Sequence, residues 1–501
     1  MSVLAIGGQS ASAIQQLVNL RAQFDDLQRQ LSTGQKSATY AGLGLDRGVT
    51  VSLNAQLSAI GGYNDTINNV TNRINLMNVA LTRMTDIGSA VKSAIAKANA
   101  TSNGSGASTA QQTALSSLDE LLGLLNSQAG DRYMFSGRAT DQPAVESLDH
   151  ILNGNGTQAG LKQLISERNQ ADLGADGLGR LAIGQPSATS VSVAEDAVSP
   201  FGLKLASVGS SLTNAVVSGP AGVPASLTVD MSGGNPNAGD SLTLRFNLPD
   251  GTTASMTLTA TTNSPPGANQ FTIGATSDVT ATNLQSALGT AIGKLAGGAL
   301  AAASAVAASN DFFNADAANP PQRVAGPPFD SATAMTTGSA ADTVIWYQGE
   351  TGSDSARSTA TARVDQALAV SYGARANEQG IRALVQNVAT LAAVTVSPSD
   401  PNAAELSAAL NQRLTGNLNG NPGDQSIRDI AVDLAGAQVS INAAKTRHQQ
   451  TAGTLHDFLQ QIQGVSNEEV GSQLLALQTR MQASMQTTAM LFQTSLVNYL
   501  R

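Results

Sequence analysis

Residues 53–91 read LNAQLSAIGGYNDTINNVTNRINLMNVALTRMTDIGSAV and carry the longest regular pattern in the chain. The residues of this pattern recur at every third or fourth position, and nearly all of them are apolar. They are Leu53, Leu57, Ile60, Asn64, Ile67, Val70, Ile74, Met77, Leu81, Met84, Ile87 and Val91. The spacing predicts a single helix about 60 Å long with one apolar stripe. Such a helix needs a partner along the whole stripe, and the polar Asn64 is placed to define the register of the pairing.

A second long pattern lies in the last part of the chain, and we expect the two helices to pair. It comprises Ile427, Ile430, Leu434, Ala437, Ile441, Ala444, His448, Thr451, Leu455, Phe458, Ile462 and Val465. We predict that the pair forms a rod held together by its two stripes. The residues predicted for the rod core are Leu57, Ile60, Asn64, Ile67, Ile74 and Leu81 of the first helix, with Leu434, Ile441, His448, Leu455 and Phe458 of the second.

The two ends of the chain are also helical by pattern, and they are almost uncharged. No charged residue lies between Met1 and Leu20, and Arg480 is the only one between Gln473 and Leu500. A helix with an apolar stripe and an uncharged opposite face is expected to contact protein on more than one side. We therefore predict that both ends form an assembly interface. Its predicted residues are Ile14, Leu17, Phe24, Leu27, Leu31, Leu474, Leu477, Met481, Met485, Phe492, Leu496 and Tyr499.

The middle of the chain has a different pattern, one that is typical of β-strands. Residues 241–248 alternate apolar and polar side chains, turn at Pro249-Asp250-Gly251, and are followed by a second alternating run at 256–259. This combination predicts a β-hairpin. Residues 227–231, 271–273 and 344–347 are predicted as further strands, and Leu284, Leu288, Ile292 and Leu295 indicate a helix. We interpret 190–357 as a separate domain that acts as a spacer or outer contact element.

The predicted fold is mainly α with an α+β insertion. Coiled-coil terminal helices and long rod helices are nested around a β-rich outer domain in the middle of the chain. The predicted domains are an N-terminal assembly helix and link (1–44), the N-terminal part of the rod domain (45–189), the outer domain (190–357), the C-terminal part of the rod domain (358–466) and the C-terminal assembly helix (467–501).

Composition excludes several classes of function. The chain has 501 residues, a net charge of -9 and no cysteine, so disulfides and thiolate metal sites are excluded. Because no cluster of Lys and Arg is present, we expect no binding to nucleic acid and no attachment to a membrane surface. The most apolar run, 295–308, is shorter than a membrane-spanning helix. The first ten residues lack the features of an ordinary cleaved signal peptide.

No pattern of residues points to catalysis, a cofactor or a metal. The three histidines, His150, His448 and His456, do not have the spacing of a metal pair on one helix face. The acidic pairs 119–120 and 468–469 are better explained by stabilisation of helix N-termini. The glycine-rich runs 154–160 and 174–179 lack the spacing and flanking elements of a nucleotide site. We therefore expect a protein that is not an enzyme.

Two motifs at the ends carry a resemblance to a known family. Residues 27–34 read LQRQLSTG and match the Leu-x-x-x-Leu-Ser-(Ser/Thr)-Gly signature of the bacterial flagellin superfamily, and residues 477–500 resemble its closing helix. The resemblance covers about 1–175 and 358–501. Residues 40–46 replace the Asp-Asp-Ala-Ala-Gly stretch that is usual after the Ser-Gly stop. Residues 133–137 resemble a Tyr-x-Phe-Ser-Gly hairpin found in hook-filament junction proteins and in some larger flagellins.

The resemblance implies a structural subunit of the flagellum that assembles through its terminal helices. The partners it implies are further copies of the chain in a helical homopolymer, other axial proteins such as junction or hook-associated proteins and the cap, and a cytoplasmic export chaperone at the C-terminal helix. It also implies export through the flagellar type III apparatus to an extracellular filament. The primary interpretation is a filament flagellin. A hook-filament junction protein and a secreted coiled-coil adhesin or effector are the alternatives.

Overall fold

The computed structural model describes the backbone of residues 3–100, 105–397 and 399–499, and the side chains of residues 11–98, 109–397, 399–490 and 493. The helices are α1 (Val3–Thr33), α2 (Arg47–Ala100), α3 (Ser105–Leu125), α4 (Leu148–Asn153), α5 (Leu161–Leu173), α6 (Ser277–Leu295), α7 (Ala301–Asn314), α8 (Gln379–Ala393), α9 (Ala403–Asn419), α10 (Ile427–Gln463) and α11 (Asn467–Tyr499). Short 3₁₀ segments cover Tyr40–Asp46 and Ala356–Thr359, and a π-helical turn, Ala296–Leu300, joins α6 to α7.

The strands lie almost entirely in the middle of the chain. They are β1 (Leu181–Ser187), β2 (Ser190–Glu195), β3 (Lys204–Ser210), β4 (Val216–Ala221), β5 (Ser226–Asp230), β6 (Ser241–Asn247), β7 (Thr253–Thr261), β8 (Gln270–Thr272), β9 (Gln322–Val324), β10 (Met335–Thr337), β11 (Thr361–Arg363) and β12 (Ala369–Ser371). Long helices before and after a β-rich middle confirm the predicted fold class.

The chain forms two compact units. Unit 1 comprises residues 1–70, 362–370 and 439–501, and unit 2 comprises residues 71–361 and 371–438. Helices α2 and α10 therefore each contribute to both units. The unit boundaries at 70/71 and 438/439 lie inside α2 and α10. They therefore differ from the boundaries of the five predicted domains.

Unit 1 is built from two antiparallel helix pairs. Helix α1 packs against α11, and the backbone ties the C-terminal end of α1 to the turn before α11. The amide of Lys36 donates to the carbonyl of Gln463 at 2.7 Å, and the amide of Val465 donates to the carbonyl of Gly34 at 3.1 Å. The first part of α2 packs against the last part of α10 through a cluster of leucine and isoleucine side chains. The hydrogen bonds of Lys36 with Gln463 and of Val465 with Gly34 fix the register between α1 and α11.

Unit 2 contains two four-stranded sheets that share one core with α6. Their strand orders are β1-β2-β5-β4 and β3-β6-β7-β8, and every pair is antiparallel except β7 with β8. The predicted hairpin is β6 and β7, in register from Ser241 opposite Thr259 to Asn247 opposite Thr253. The inward side chains of the strands, such as Val229, Leu244 and Phe246, pack with Leu284 and Leu288 of α6 in a dry core.

One stretch among the described residues, 277–314, is long and apolar enough by length and composition to cross a membrane. Its apolar window is 67% buried inside the protein. The side chains of α7 from Ala301 to Ser309 are all buried, and α7 packs against α5 and α8. This burial is the expected property of a core helix.

Two predicted local elements differ from the structure. Residues 344–347 are buried, but they do not form a regular strand. Tyr347 makes an isolated antiparallel bridge with Val145. Their place is set by Trp346, whose indole nitrogen donates to the carbonyl of Phe313 at 2.9 Å. Residues 133–137 likewise form a compact turn with isolated bridges at Tyr133 and Ser136. In both places backbone hydrogen bonds, such as those from Gln348 to Ala144 at 2.9 Å and from Ala376 to Phe135 at 2.8 Å, hold the segment without forming a regular sheet.

Candidate assembly interface

The α1–α11 pair contains one apolar seam between the two helices. Leu17, Phe24 and Leu27 of α1 are half-buried, as are Leu474 and Met481 of α11, and they follow one another at helical spacing. Leu477 is 7% exposed and is buried in the seam. Val470 and Leu20 extend the seam, although the predicted interface did not include them. These side chains hold the two ends of one chain together.

A second set of apolar side chains on the same two helices faces away from the seam. Ile14, Leu31 and Met485 of the predicted interface are exposed. Val18, Met490 and Leu475 are exposed as well, and Leu475 is 67% exposed. The sequence pattern did not separate the seam residues from the outward-facing residues, because both recur at spacings close to three and four. The side chains of Phe492, Leu496 and Tyr499 lie outside the described residues.

Charges on the terminal helices are few, and those of α1 lie near its C-terminal end. Arg29 contacts Asp26 at 2.6 Å and also donates to the carbonyl of Lys36 at 3.2 Å. The hydrogen bond from Arg29 lowers the pKa of Asp26 below its ordinary value. At the start of α11, the hydroxyl of Ser466 accepts a hydrogen bond from the amide of Glu469 at 3.3 Å. The exposed apolar residues in the rest of α1 and α11 therefore have few charged neighbours.

The link between α1 and α2 adds two exposed large side chains. Residues 40–46 form a 3₁₀ segment with a left-handed Gly44, and Leu45 within it is fully exposed. Tyr40 is also exposed. The sequence showed only that this segment departs from the usual family pattern.

Most of the predicted rod-core residues are buried. Ile67, Ile74, Leu81, Leu434, Ile441, His448 and Leu455 are buried, whereas Leu57, Ile60 and Asn64 are half-buried. Phe458 differs from the prediction, because it is 49% exposed and the next residue, Leu459, is buried instead. Leu459 lies one helical turn from Leu455 and joins it against Leu53 of α2. The next buried position of the α10 stripe after Leu455 is therefore four residues on, at Leu459, and not three residues on, at Phe458.

A polar layer crosses the α2–α10 pair in unit 1. Nδ1 of His448 lies 3.1 Å from Oδ1 of Asn64, and the His448 ring stacks on Tyr63 with centroids 5.8 Å apart. Nε2 of His448 has no hydrogen-bond partner among the residues that the structure describes, and the carboxylate of Asp365 lies 3.7 Å away. Asp365 is also paired with Arg447 at 3.1 Å. The predicted register residue, Asn64, thus meets the predicted core histidine.

The buried charges of unit 2 have structural contacts. Glu167 accepts hydrogen bonds from Arg323 at 2.5 and 2.9 Å, and Asp172 accepts them from Arg168 and from the amide of Gly202, both at 2.8 Å. Burial raises the pKa of Asp172 above its ordinary value. The contacts of Glu167 with Arg323 and of Asp172 with Gly202 join distant parts of the chain, whereas Arg168 and Asp172 are four residues apart on α5.

The other histidines and acids do not converge on a chemical centre. Nδ1 of His150 lies 2.9 Å from Glu146 and Nε2 lies 3.2 Å from Gln158, while His456 is exposed. Within the described ranges, no group of three or more His, Asp or Glu side chains is placed to hold a metal ion. The exposed apolar faces of α1 and α11 are therefore the best-defined candidate site.

Comparison with known proteins gives one family. Residues 8–140 match the family described as the bacterial flagellin N-terminal helical region. This range includes most of α1, all of α2 and α3, and the turn at 133–137. No curated protein matches the chain.

Proposed function

Because the chain belongs, through residues 8–140, to the bacterial flagellin superfamily, we propose that it is a filament flagellin that polymerises through the outer faces of α1 and α11. The flagellin family is structural and non-enzymatic, and membership implies self-polymerisation. The observation that carries the proposal is the second apolar set on the terminal helices, which the single chain leaves exposed. Leu475 is its clearest member, and Ile14, Val18 and Met485 extend it.

In this proposal the two apolar sets have different tasks. The seam residues Leu17, Phe24, Leu27, Leu474, Leu477 and Met481 pair the two ends of one subunit. The outward residues Ile14, Leu31 and Met485 contact neighbouring subunits, and Phe492, Leu496 and Tyr499 continue the C-terminal stripe. Burying one large apolar side chain contributes roughly 1.5–3 kcal/mol, so each outward residue that a neighbour covers adds to the stability of the polymer. The rod-core residues pair α2 with α10 in each subunit.

The remaining parts of the proposal follow from the family. We propose that residues 1–44 and 467–501 form the assembly layer, 45–189 and 358–466 the rod domain, and 190–357 an outer domain. The subunit is exported through the flagellar type III apparatus, a cytoplasmic chaperone shields the C-terminal helix before export, and the mature protein is extracellular. Its partners are further copies of itself and the neighbouring axial proteins.

A chain that lacks the C-terminal helix tests the proposal directly. Purified protein at high concentration, seeded with filament fragments, should form tubes visible by electron microscopy. A variant that ends before Gln473 should form none, although unit 2 should retain its fold by circular dichroism. Tube formation by the shortened variant, or failure of the intact chain to polymerise, would contradict the proposal.

A hook-filament junction protein is the second candidate, and the turn at 133–137 favours it as much as it favours a large flagellin. Copy number separates the two. Quantitative mass spectrometry of purified appendages should find thousands of copies for a flagellin and about one ring for a junction protein. Normal motility after deletion of residues 473–501 would instead favour an adhesin or effector outside the flagellum.

A further inference from the structure

Unit 2 contains an open cleft of about 820 Å³ that the assembly proposal does not use. Five helices line it. Helix α2 contributes Thr85, Ser89 and Lys92, α8 contributes residues between 379 and 387, and α9 contributes residues between 412 and 419. Helix α7 contributes Val306 and Asn310, α10 contributes Ile427 and Arg428, and the turn between β6 and β7 and the loop 420–426 complete the walls. This volume is within the range of about 300–1,000 Å³ that is typical of ligand sites.

The lining is unusual in its number of side-chain amides. Nine of its residues are Asn or Gln. On the floor, Gln386 is 8% exposed and Asn387 is 4% exposed, so these amides are held in place. Gln386 donates to Oδ1 of Asn310, and Asn387 donates to the carbonyl of Ala383 at 2.7 Å. Gln412 and Asn417 on the α9 wall are exposed. Each side-chain amide offers two donor hydrogens and an acceptor side by side.

A buried ion pair braces the wall formed by α9. Nε of Arg413 lies 2.7 Å from Oδ2 of Asp250, and the Asp250 side chain is almost completely buried. Arg413 also donates to the hydroxyl of Thr252 at 3.3 Å. This pair joins α9 to the β6–β7 turn, which are two of the elements that line the cleft. Holding these two elements in place lowers the entropic cost of binding a ligand between them and the other walls.

The charges in the cleft favour an anionic ligand slightly. Three cationic and two anionic side chains line it, in a protein whose net charge is -9. One acid, Asp250, is already neutralised by Arg413. Lys92 contacts only the amide oxygen of Asn419, at 3.5 Å, and neither Lys92 nor Arg428 forms a salt bridge within the described ranges. Lys92 and Arg428 are therefore the lining cations without an ion pair among the described residues.

We propose that this cleft binds a hydroxyl-rich, acidic oligosaccharide. Adjacent sugar hydroxyls present donors and acceptors in pairs, which matches the side-chain amides on the walls, and Lys92 and Arg428 take the sugar carboxylate. None of the described side chains around the cleft is aromatic, so a stacked base has no platform, and a sugar must be held by hydrogen bonds and charge.

Titration of the full-length monomer tests the proposal, using tetragalacturonate as the probe and isothermal calorimetry as the measurement. We expect saturable binding, at least tenfold weaker binding of the neutral maltotetraose, and no binding of a tetraglutamate peptide. A triple variant, Lys92→Gln with Gln412→Ala and Asn417→Ala, should weaken binding at least tenfold. A matched variant on α5, Lys162→Gln with Gln170→Ala, should bind as the natural chain does.

Three results would overturn the proposal. They are no saturable binding of tetragalacturonate, equal binding of the tetraglutamate peptide, and unchanged affinity in the triple variant. All substituted residues of the triple variant lie at least partly in solvent, so a normal melting temperature is expected and separates lost binding from lost folding. Polymerisation of the same variants, measured separately, distinguishes failure of this site from failure of the assembly proposal.

Discussion

Replacing Leu475 by Gln should raise the concentration needed for polymerisation while leaving the monomer intact. Leu475 is 67% exposed in the single chain, so about two-thirds of its surface is available to a neighbouring subunit. Since complete burial of a leucine contributes roughly 1.5–3 kcal/mol, the contact is worth about 1–2 kcal/mol. A difference of 1.4 kcal/mol is a factor of ten, so the critical concentration should rise about 5- to 30-fold. Gln has nearly the same size and helix propensity, which confines the change to polarity.

The matched control is Leu477→Gln, two residues away on the same helix. Leu477 is 7% exposed and belongs to the seam inside the subunit. This variant should weaken the α1–α11 pair itself, which hydrogen exchange of the α1 amides reports as faster exchange in the monomer. Leu475→Gln should leave those exchange rates unchanged. The critical concentration is measured by sedimentation after seeding. Polymerisation of Leu475→Gln at the concentration of the natural chain would refute the assignment of the outward face.

Further expected outcomes concern the polar layer of unit 1. His448→Leu should lower the free energy of unfolding by about 1–3 kcal/mol, because Asn64 loses its buried partner, and the double change Asn64→Leu with His448→Leu should recover most of that loss in urea denaturation. A double variant that is less stable than the single one would contradict this account. The backbone hydrogen bond from Gln366 and the hydrogen bond from Arg447 lower the pKa of Asp365 below 3.8. The stabilisation from this carboxylate is therefore present above pH 3.8 and is lost as the pH falls through the lowered pKa, so amide protection in 362–370 should decrease there. Asp365→Asn should remove this pH dependence, and an unchanged profile in that variant would count against it.

The long helices could be predicted from the sequence because helix periodicity is a local property. The pattern 53–91 lies within α2, and the pattern 427–465 matches α10 closely. The hairpin of β6 and β7 could be predicted for the same reason, since alternation and a Pro-Asp-Gly turn are both local signals. The strand predicted at 344–347 was wrong because a short apolar run has the same pattern in a strand and in a buried irregular segment.

The position of each side chain around its helix was harder to predict. Phe458 and Leu459 are both apolar and differ by one residue, yet only Leu459 reaches Leu53. The pattern places a stripe to within about one residue, and the partner helix decides which neighbour is buried. The carboxamides of the cleft, from 310 to 425, are far apart in sequence and share no motif, so no local signal could have found them.

The sequence by itself determined that the two ends are amphipathic helices with few charges, that two long helices pair, and that a β-rich segment lies between them. These properties follow from spacing and composition, which act over one or two helical turns. Only the tertiary structure decided that Leu477 faces inward while Leu475 faces outward, that Asn64 meets His448, and that five helices line one cleft. Those outcomes depend on the register and rotation of elements distant in the chain, which the packing of the whole unit sets.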